Sequence, residues 1–100
     1  MMFGWPVERI ETEKRRLTVL EYLASAPGYE AAAGLLVLHC RDRGVPTTAD
    51  QMAACLAWLV EQGLIATRGE GDRLVPRITG RGREVALGQV HHPGVLNPDP

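Results

Sequence analysis

Arginine supplies most of the positive charge in this sequence, and many of the arginines lie late in the chain. Residues 63–88 carry a net charge of +2, whereas residues 48–62 carry −2 and contain no lysine or arginine. Since the whole chain has a formal charge of −1, binding of nucleic acid would depend on this uneven distribution of charge. The arginines of the later segment are Arg68, Arg73, Arg77, Arg81 and Arg83.

The other reactive side chains do not suggest a catalytic or metal site. None of the histidines and cysteines shows the paired spacing of a zinc site. No activated nucleophile is indicated, and no glycine-rich phosphate loop follows a strand. We therefore expect no enzymatic activity, no metal and no cofactor, and we expect the cysteines to be reduced and packed in helices. These residues are His39, Cys40, Cys55, His91 and His92.

The composition is that of one small helical domain. The 100 residues are 45% apolar and only 5% aromatic, which favours helices over a β-sandwich. No apolar run is long enough to span a membrane, and the N-terminus lacks the basic-then-apolar order of a signal peptide. We therefore expect a cytoplasmic protein without a membrane association.

Glycine and proline divide the first half of the chain into two predicted helices. The first covers residues 7–26; its initial turns are polar and partly project, and its apolar face begins at Leu17. "PGY" at residues 27–29 ends it. The second helix covers residues 30–43 and ends at Gly44. Its predicted apolar face contains Leu35, Leu36, Leu38 and Cys40.

A third helix and a hairpin follow. Thr48 and Gln51 have the spacing of a capping box, and Gly63 ends the helix. Two short extended runs flank "GEGD", whose glycines suit a hairpin tip. Pro76 cannot donate to a ladder, so the second run should be an outer strand. The predicted buried stripe of the third helix is Met52, Leu56 and Leu59, with Cys55 and Val60 at its flanks.

The order of elements predicts a fold class. A weak fourth helix covers residues 79–87, the domain spans residues 1–88, and a proline-rich extended tail covers residues 89–100. We expect a mainly α fold with a small β-hairpin (α+β), consisting of a three-helix core, a two-stranded wing and a C-terminal helix. This is the arrangement of a winged helix-turn-helix.

The predicted outward face of the third helix is poor in groups that bind DNA. Gln51 on its border is the only side chain of the usual kind for reading base edges. A solvated third helix of a bundle explains the same residues. Trp58 either packs against the wing or the first helix, or anchors a protein partner. The residues of this face are Asp50, Ala54, Ala57 and Glu61.

The wing arginines allow two interpretations. Arg73 and Arg77 alternate with Leu74, Pro76 and Ile78, so they should share the strand face that points away from the core. There they can contact phosphates or a minor groove. Equally, charge at this position protects an exposed strand edge from aggregation.

Four stretches carry a resemblance to a known family. "RRLTVLEYLASAPGY", "LAWLVEQGLI", "ITGRGREVALG" and "HHPGV" resemble, in order and spacing, small winged-helix proteins of Mu-like phages and prophages, which are similar to ArsR-type transcriptional regulators. The resemblance covers residues 15–98 and implies a winged-helix fold and binding of double-stranded DNA. Ala49, Ala53 and Ala54 depart from it, because polar or basic residues are common there in the family. The cysteine pair of an ArsR-like metal sensor has no match in this sequence.

We therefore expect a homodimeric transcriptional regulator of phage type, with dimerisation through the first helix and the C-terminal segment. The alternative is a winged-helix module that binds protein rather than DNA, through Trp58 and the alanine-rich face of the third helix. The predicted DNA contacts are Thr47, Thr48, Asp50, Gln51, Ala54, Arg68, Arg73 and Arg77.

Overall fold

A computed structural model of the chain describes residues 5–98. It contains four α-helices and a two-stranded antiparallel sheet, which confirms a mainly helical α+β fold. Each predicted helix and strand is present, although their ends differ by up to a few residues. In chain order the elements are α1 (Trp5–Ser25), α2 (Ala33–Asp42), α3 (Ala49–Glu61), β1 (Ile65–Arg68), β2 (Val75–Ile78) and α4 (Gly80–Ala86).

The core lies between α1, α2, α3 and the hairpin. Most of its side chains are aliphatic, and they come from every helix and both strands. The first turns of α1 lie outside it, since Val7 and Ile10 are 57% and 52% exposed. Within residues 5–98 no helix is long and apolar enough to cross a membrane. The largest fully buried side chains include Leu20, Leu23, Leu36, Met52, Leu56, Leu59 and Leu64.

The apolar face predicted for α2 is wrong in part. Leu36 and Cys40 are fully buried, but Leu35 and Leu38 are 52% and 59% exposed. At about 100° per residue, Leu35 and Leu38 point away from the direction shared by Leu36 and Cys40. Helix α2 therefore presents a leucine pair to solvent.

Both ends of α3 follow from local signals in the sequence. The Thr48 hydroxyl accepts from the Gln51 backbone N–H at 3.0 Å, and the Gln51 side-chain oxygen accepts from the Thr48 N–H at 2.9 Å. The predicted capping box is thus confirmed. Gly63 follows the helix with a φ of +73°, a conformation that favours glycine. Val60 was predicted at the edge of the buried stripe but is exposed.

The hairpin pairs β1 with β2, with Ile65 opposite Ile78 and Arg68 opposite Val75. Arg73 lies in a 3₁₀ turn, Gly71–Arg73, at the hairpin tip. The prediction that it shares a strand face with Arg77 is therefore wrong, because the turn takes up the residues before Val75.

The outer edge of β2 is partly paired with another segment of the chain. Glu30 forms an isolated antiparallel bridge with Arg77, and the Ala31 N–H donates to the Pro76 carbonyl at 3.3 Å. Pro76 itself is buried. The prediction of an outer strand missed this cover, because it comes from the segment between α1 and α2.

The C-terminal segment packs on α1 and α3. Residues 89–98 form neither helix nor strand, but His92 and Val95 are buried. The Leu96 N–H donates to the Glu13 carbonyl at 3.3 Å, and the Arg16 guanidinium donates to the Gly94 carbonyl at 2.8 Å. The predicted extended tail is therefore fixed to the domain up to these residues.

Helix α4 is attached to the start of β1 through Thr79 and Gly82. The Thr79 hydroxyl accepts from the Gly82 N–H and donates to the carbonyls of Gly63 or Leu64, which lie at 2.8 and 3.0 Å. A Cβ atom at position 82 would overlap the Leu64 carbonyl oxygen and crowd the Ile78 side chain. Gly82 thus allows the closest approach of α4 to the hairpin.

We expect Gly82→Ala to lower the free energy of unfolding by about 1–3 kcal/mol, the usual cost of overfilling a packed site. Gly80→Ala is the matched control, because a Cβ atom there meets only the end of the Arg83 side chain at 3.7 Å. Urea denaturation monitored by circular dichroism would measure both. Equal stability of the two variants would contradict this account of Gly82.

Candidate nucleic-acid interface

The outward face of α3 is uncovered and carries no positive charge. Its residues are exposed, as predicted. Gln51 holds its side-chain oxygen in the capping box, so its amide N–H₂ group remains to donate to a ligand. Asp50 and Glu61 add negative charge to the same face. The exposed residues are Asp50, Gln51, Ala54, Ala57 and Glu61.

Thr47 does not belong to this face, contrary to the predicted contact set. Its side chain is 4% exposed, and its hydroxyl accepts from the Arg15 Nε at 3.0 Å while donating to the Val45 carbonyl at 2.8 Å. Thr47 therefore fastens the turn between α2 and α3 to α1. Thr48 is exposed, but its hydroxyl caps α3, so its first role is structural.

Arg68 is neutralised within the chain. Its guanidinium makes two hydrogen bonds to the Glu30 carboxylate, at 2.5 and 2.9 Å. The hydrogen bonds from Arg68 hold the pKa of Glu30 below its usual value and raise the pKa of Arg68. Arg68 is therefore a weaker candidate for a phosphate contact than the sequence indicated, because its donors and its charge already have a partner.

Arg73 and Arg77 remain available on the hairpin. Both are exposed, and among residues 5–98 neither forms an ion pair. Arg73 lies at the tip beside Glu70 and Asp72, whereas Arg77 lies on β2 opposite Ala66. The hairpin therefore offers two separate cations, one at its end and one along its outer face.

Trp58 is half-buried on the border of α3 that faces α1. The Arg16 guanidinium lies 3.8 Å above the ring centre, and His92 meets the ring edge-on at a centroid distance of 5.7 Å. Gly94 has a φ of +93°, and a Cβ atom there would overlap the indole. Of the two interpretations of Trp58, packing against the first helix agrees with this geometry. The C-terminal segment also covers the indole ring.

Arg15 and Arg16 are the cationic residues beside α3 that sequence reasoning missed. Both arise from α1 and turn toward the border of α3 rather than toward solvent. Their position at the start of the apolar face of α1 was the available signal. It could not identify their partners, which lie 31 to 78 residues later in the chain.

A shallow apolar groove of about 360 Å³ separates α2, α3 and the hairpin tip. Small side chains give it its width, and Asp72 supplies a charge at its edge. Ala49 and Ala53 both lie in it. Besides Asp72, it is lined by Ala33, Gly34, Val37, Ala49, Met52, Ala53, Leu56, Gly71 and Leu74.

The cysteines are buried free thiols. Burial raises the pKa of Cys40, and it raises the pKa of Cys55 to about 12. Both are thus protonated at neutral pH, whereas metal binding and nucleophilic attack require the thiolate. Within residues 5–98, no three side chains of the metal-binding types are gathered.

No protein-family model matches the chain, and a search of curated proteins finds no significant similarity.

The burial of His92 makes the stability of the fold depend on pH. Burial, followed by the charges of Arg81 and His91, lowers the pKa of His92, and its Nε2 lies 3.0 Å from the Gln62 side-chain oxygen. A histidine whose pKa is lowered by folding stabilises the fold fully above its unfolded pKa of about 6.5 and loses this contribution as pH falls below that value.

We expect the free energy of unfolding of the native chain to decrease between pH 7.5 and 5.5 by more than that of His92→Gln. Glutamine keeps a polar partner for Gln62 but does not titrate. Every other ionisable group is present in both proteins, so the difference between the two proteins isolates His92. Parallel pH profiles would show that His92 does not couple protonation to folding.

Proposed function

We propose that the chain is a winged helix-turn-helix protein. Helices α2 and α3 are joined by a short turn that Thr47 and Arg15 hold, and the hairpin follows α3 directly. The bridge from Glu30 to β2 adds a third extended segment between α1 and α2. In helix-turn-helix proteins the second helix of the pair enters the major groove, and in this chain that helix is α3.

For this fold we infer binding of double-stranded DNA, as a transcriptional regulator of the phage type that the sequence resembles. The observation that carries the inference is the uncovered face of α3 beside a hairpin with two exposed, unpaired arginines. Phosphate contacts from such arginines would position the domain on a duplex. The proposed surface consists of Asp50, Gln51, Ala54, Arg73 and Arg77.

The proposed homodimer uses the first turns of α1. Val7 and Ile10 are three residues apart on one helical face, and more than half of each side chain is exposed. The C-terminal segment packs on its own α1 and α3, so we assign it no part in the contact. A dimer would place two copies of α3 on one duplex, as two-fold symmetric operators require.

The exposed leucines of α2 support the alternative of a protein-binding module. Leu35 and Leu38 lie outside the core on α2, and α2 also forms one wall of the apolar groove. A protein partner would bury the two leucines and the groove, whereas the charged backbone of DNA would make no favourable contact with these apolar surfaces. Absence of duplex binding at low salt would favour this alternative.

We expect Arg73→Glu with Arg77→Glu to weaken duplex binding at least tenfold. The slope of log K against log salt should become less steep by about 2 units, because each lost phosphate contact removes roughly 0.9 of a unit. Fluorescence anisotropy at several salt concentrations measures both. Arg43→Glu with Arg81→Glu is the control, because it makes the same change of net charge at exposed residues outside both the proposed DNA surface and the proposed dimer contact. An equal effect of the two pairs would contradict a contact made by the hairpin.

We expect Val7→Glu with Ile10→Glu to convert a dimer into a monomer. Two charges on each facing helix would remove the apolar contact and repel their copies. Sedimentation equilibrium measures the change, and Leu35→Glu with Leu38→Glu is the matched control on α2. A native chain that stays monomeric at high concentration would refute the dimer.

A further inference from the structure

The side chains of Arg15 and Arg16 meet α3 without a carboxylate to balance them. Arg15 is 5% exposed, and its hydrogen bonds go to neutral acceptors, the Thr47 hydroxyl at 3.0 Å and the Pro46 carbonyl at 2.7 Å. Arg16 stacks on Trp58 and donates to the Gly94 carbonyl. Across residues 5–98, neither guanidinium has an acidic group within ion-pairing distance.

Arg16 also has a donor without a partner. Its Nε atom is buried and makes no hydrogen bond. A buried N–H group without an acceptor costs free energy, and the cost is larger for a charged group. Burial lowers the pKa of Arg16, and of the surrounding charges Glu13 acts against this shift while Arg15 adds to it. The carboxylate of Glu13, one turn earlier on α1, does not approach closely enough to form an ion pair.

Both arginines line one small cleft between α1 and the start of α3. It has a volume of about 190 Å³ and is open to solvent. Thr12 contributes a hydroxyl group and Gln51 contributes the amide group whose oxygen is already engaged in the capping box. The lining is therefore rich in donors, and its residues are Thr12, Arg15, Arg16, Gln51, Ala54 and Cys55.

We propose that this cleft binds a phosphate-type oxyanion, with Arg16 and Gln51 as the principal donors and Arg15 as a second positive charge. An oxyanion would balance the two cations and supply acceptors to a site that has a surplus of donors. The volume of about 190 Å³ is large enough to admit one tetrahedral group.

The position of the cleft connects it to the proposed DNA surface. Ala54 and Gln51 belong both to the cleft and to the exposed face of α3. A backbone phosphate could therefore enter the cleft while α3 lies along a groove, and this source of the phosphate rests on the proposed function. Free inorganic phosphate satisfies the same chemistry without DNA.

The test follows the Arg16 Nε–H resonance of the native chain in ¹H–¹⁵N spectra. Inorganic phosphate is added in one titration and a short DNA duplex in another, with sodium chloride at equal ionic strength as the reference. We expect a saturable shift of this resonance with phosphate that chloride does not produce. No shift with either phosphate or duplex would overturn the proposal.

Two alanines of α3 provide matched variants that leave both arginines in place. Ala54→Glu adds a carboxylate at the cleft, and Ala57→Glu adds one to the same exposed helix face outside the cleft. We expect Ala54→Glu to weaken phosphate binding by at least tenfold and to raise the melting temperature, because it provides the missing counter-charge. Ala57→Glu should do neither. Equal behaviour of the two variants toward phosphate would overturn the assignment to this cleft.

The two titrations separate this inference from the proposed function. A shift with duplex as well as phosphate identifies the ligand as a backbone phosphate and supports both. A shift with phosphate alone supports the site and identifies free phosphate as its ligand, and it counts against DNA contact at this border. Duplex binding that leaves the Arg16 resonance unchanged, with no response to phosphate, overturns the site while the DNA proposal stands.

Discussion

The orientation of α3 depends on one buried interaction, the contact of Arg15 with the turn between α2 and α3. The Arg15 side chain reaches from α1 to the Thr47 hydroxyl and the Pro46 carbonyl, and Arg41 of α2 holds the Thr47 carbonyl at 3.0 Å. Two guanidinium groups thus fix the backbone immediately before the Thr48 cap. A buried donor group that loses its hydrogen-bond partner costs free energy. These contacts therefore restrict the backbone of the turn, and α3 begins at a defined position.

The hairpin is fixed at the other end of α3 by the Leu64 carbonyl. The N–H of Thr79 donates to it at 3.0 Å, the Thr79 hydroxyl also lies at 3.0 Å, and Gly82 packs directly over it. The carbonyl lies one residue before β1, and Thr79 lies between β2 and α4. The start and end of the hairpin are therefore joined at one place, so that α3 and the hairpin present their outer surfaces as one rigid unit.

Local signals predicted the elements well, and distant partners explain what they missed. The capping box at Thr48 and the glycine stop at Gly63 act within one helical turn, so sequence alone identified them. The prediction of a phosphate contact for Arg68 does not include its partner Glu30, because Glu30 lies 38 residues earlier. The prediction that Thr47 lies on the DNA face misses Arg15, because nothing near Thr47 in the sequence reveals that Arg15 covers it. The predicted core includes Leu35 and Leu38, because an apolar residue in a helix does not by itself show which face of the helix remains open.

The distribution of charge around α3 bears on how a duplex would be recognised under the proposed function. The helix face itself supplies one free amide and two carboxylates, so it can form few of the paired hydrogen bonds that distinguish bases in the major groove. The cations flank it, with Arg16 on the α1 side and Arg73 and Arg77 on the hairpin. Phosphate contacts on both sides of a groove fix the position of a helix but carry no direct sequence information. Selectivity would then come from groove width and the deformability of the duplex, with affinity falling steeply as salt increases.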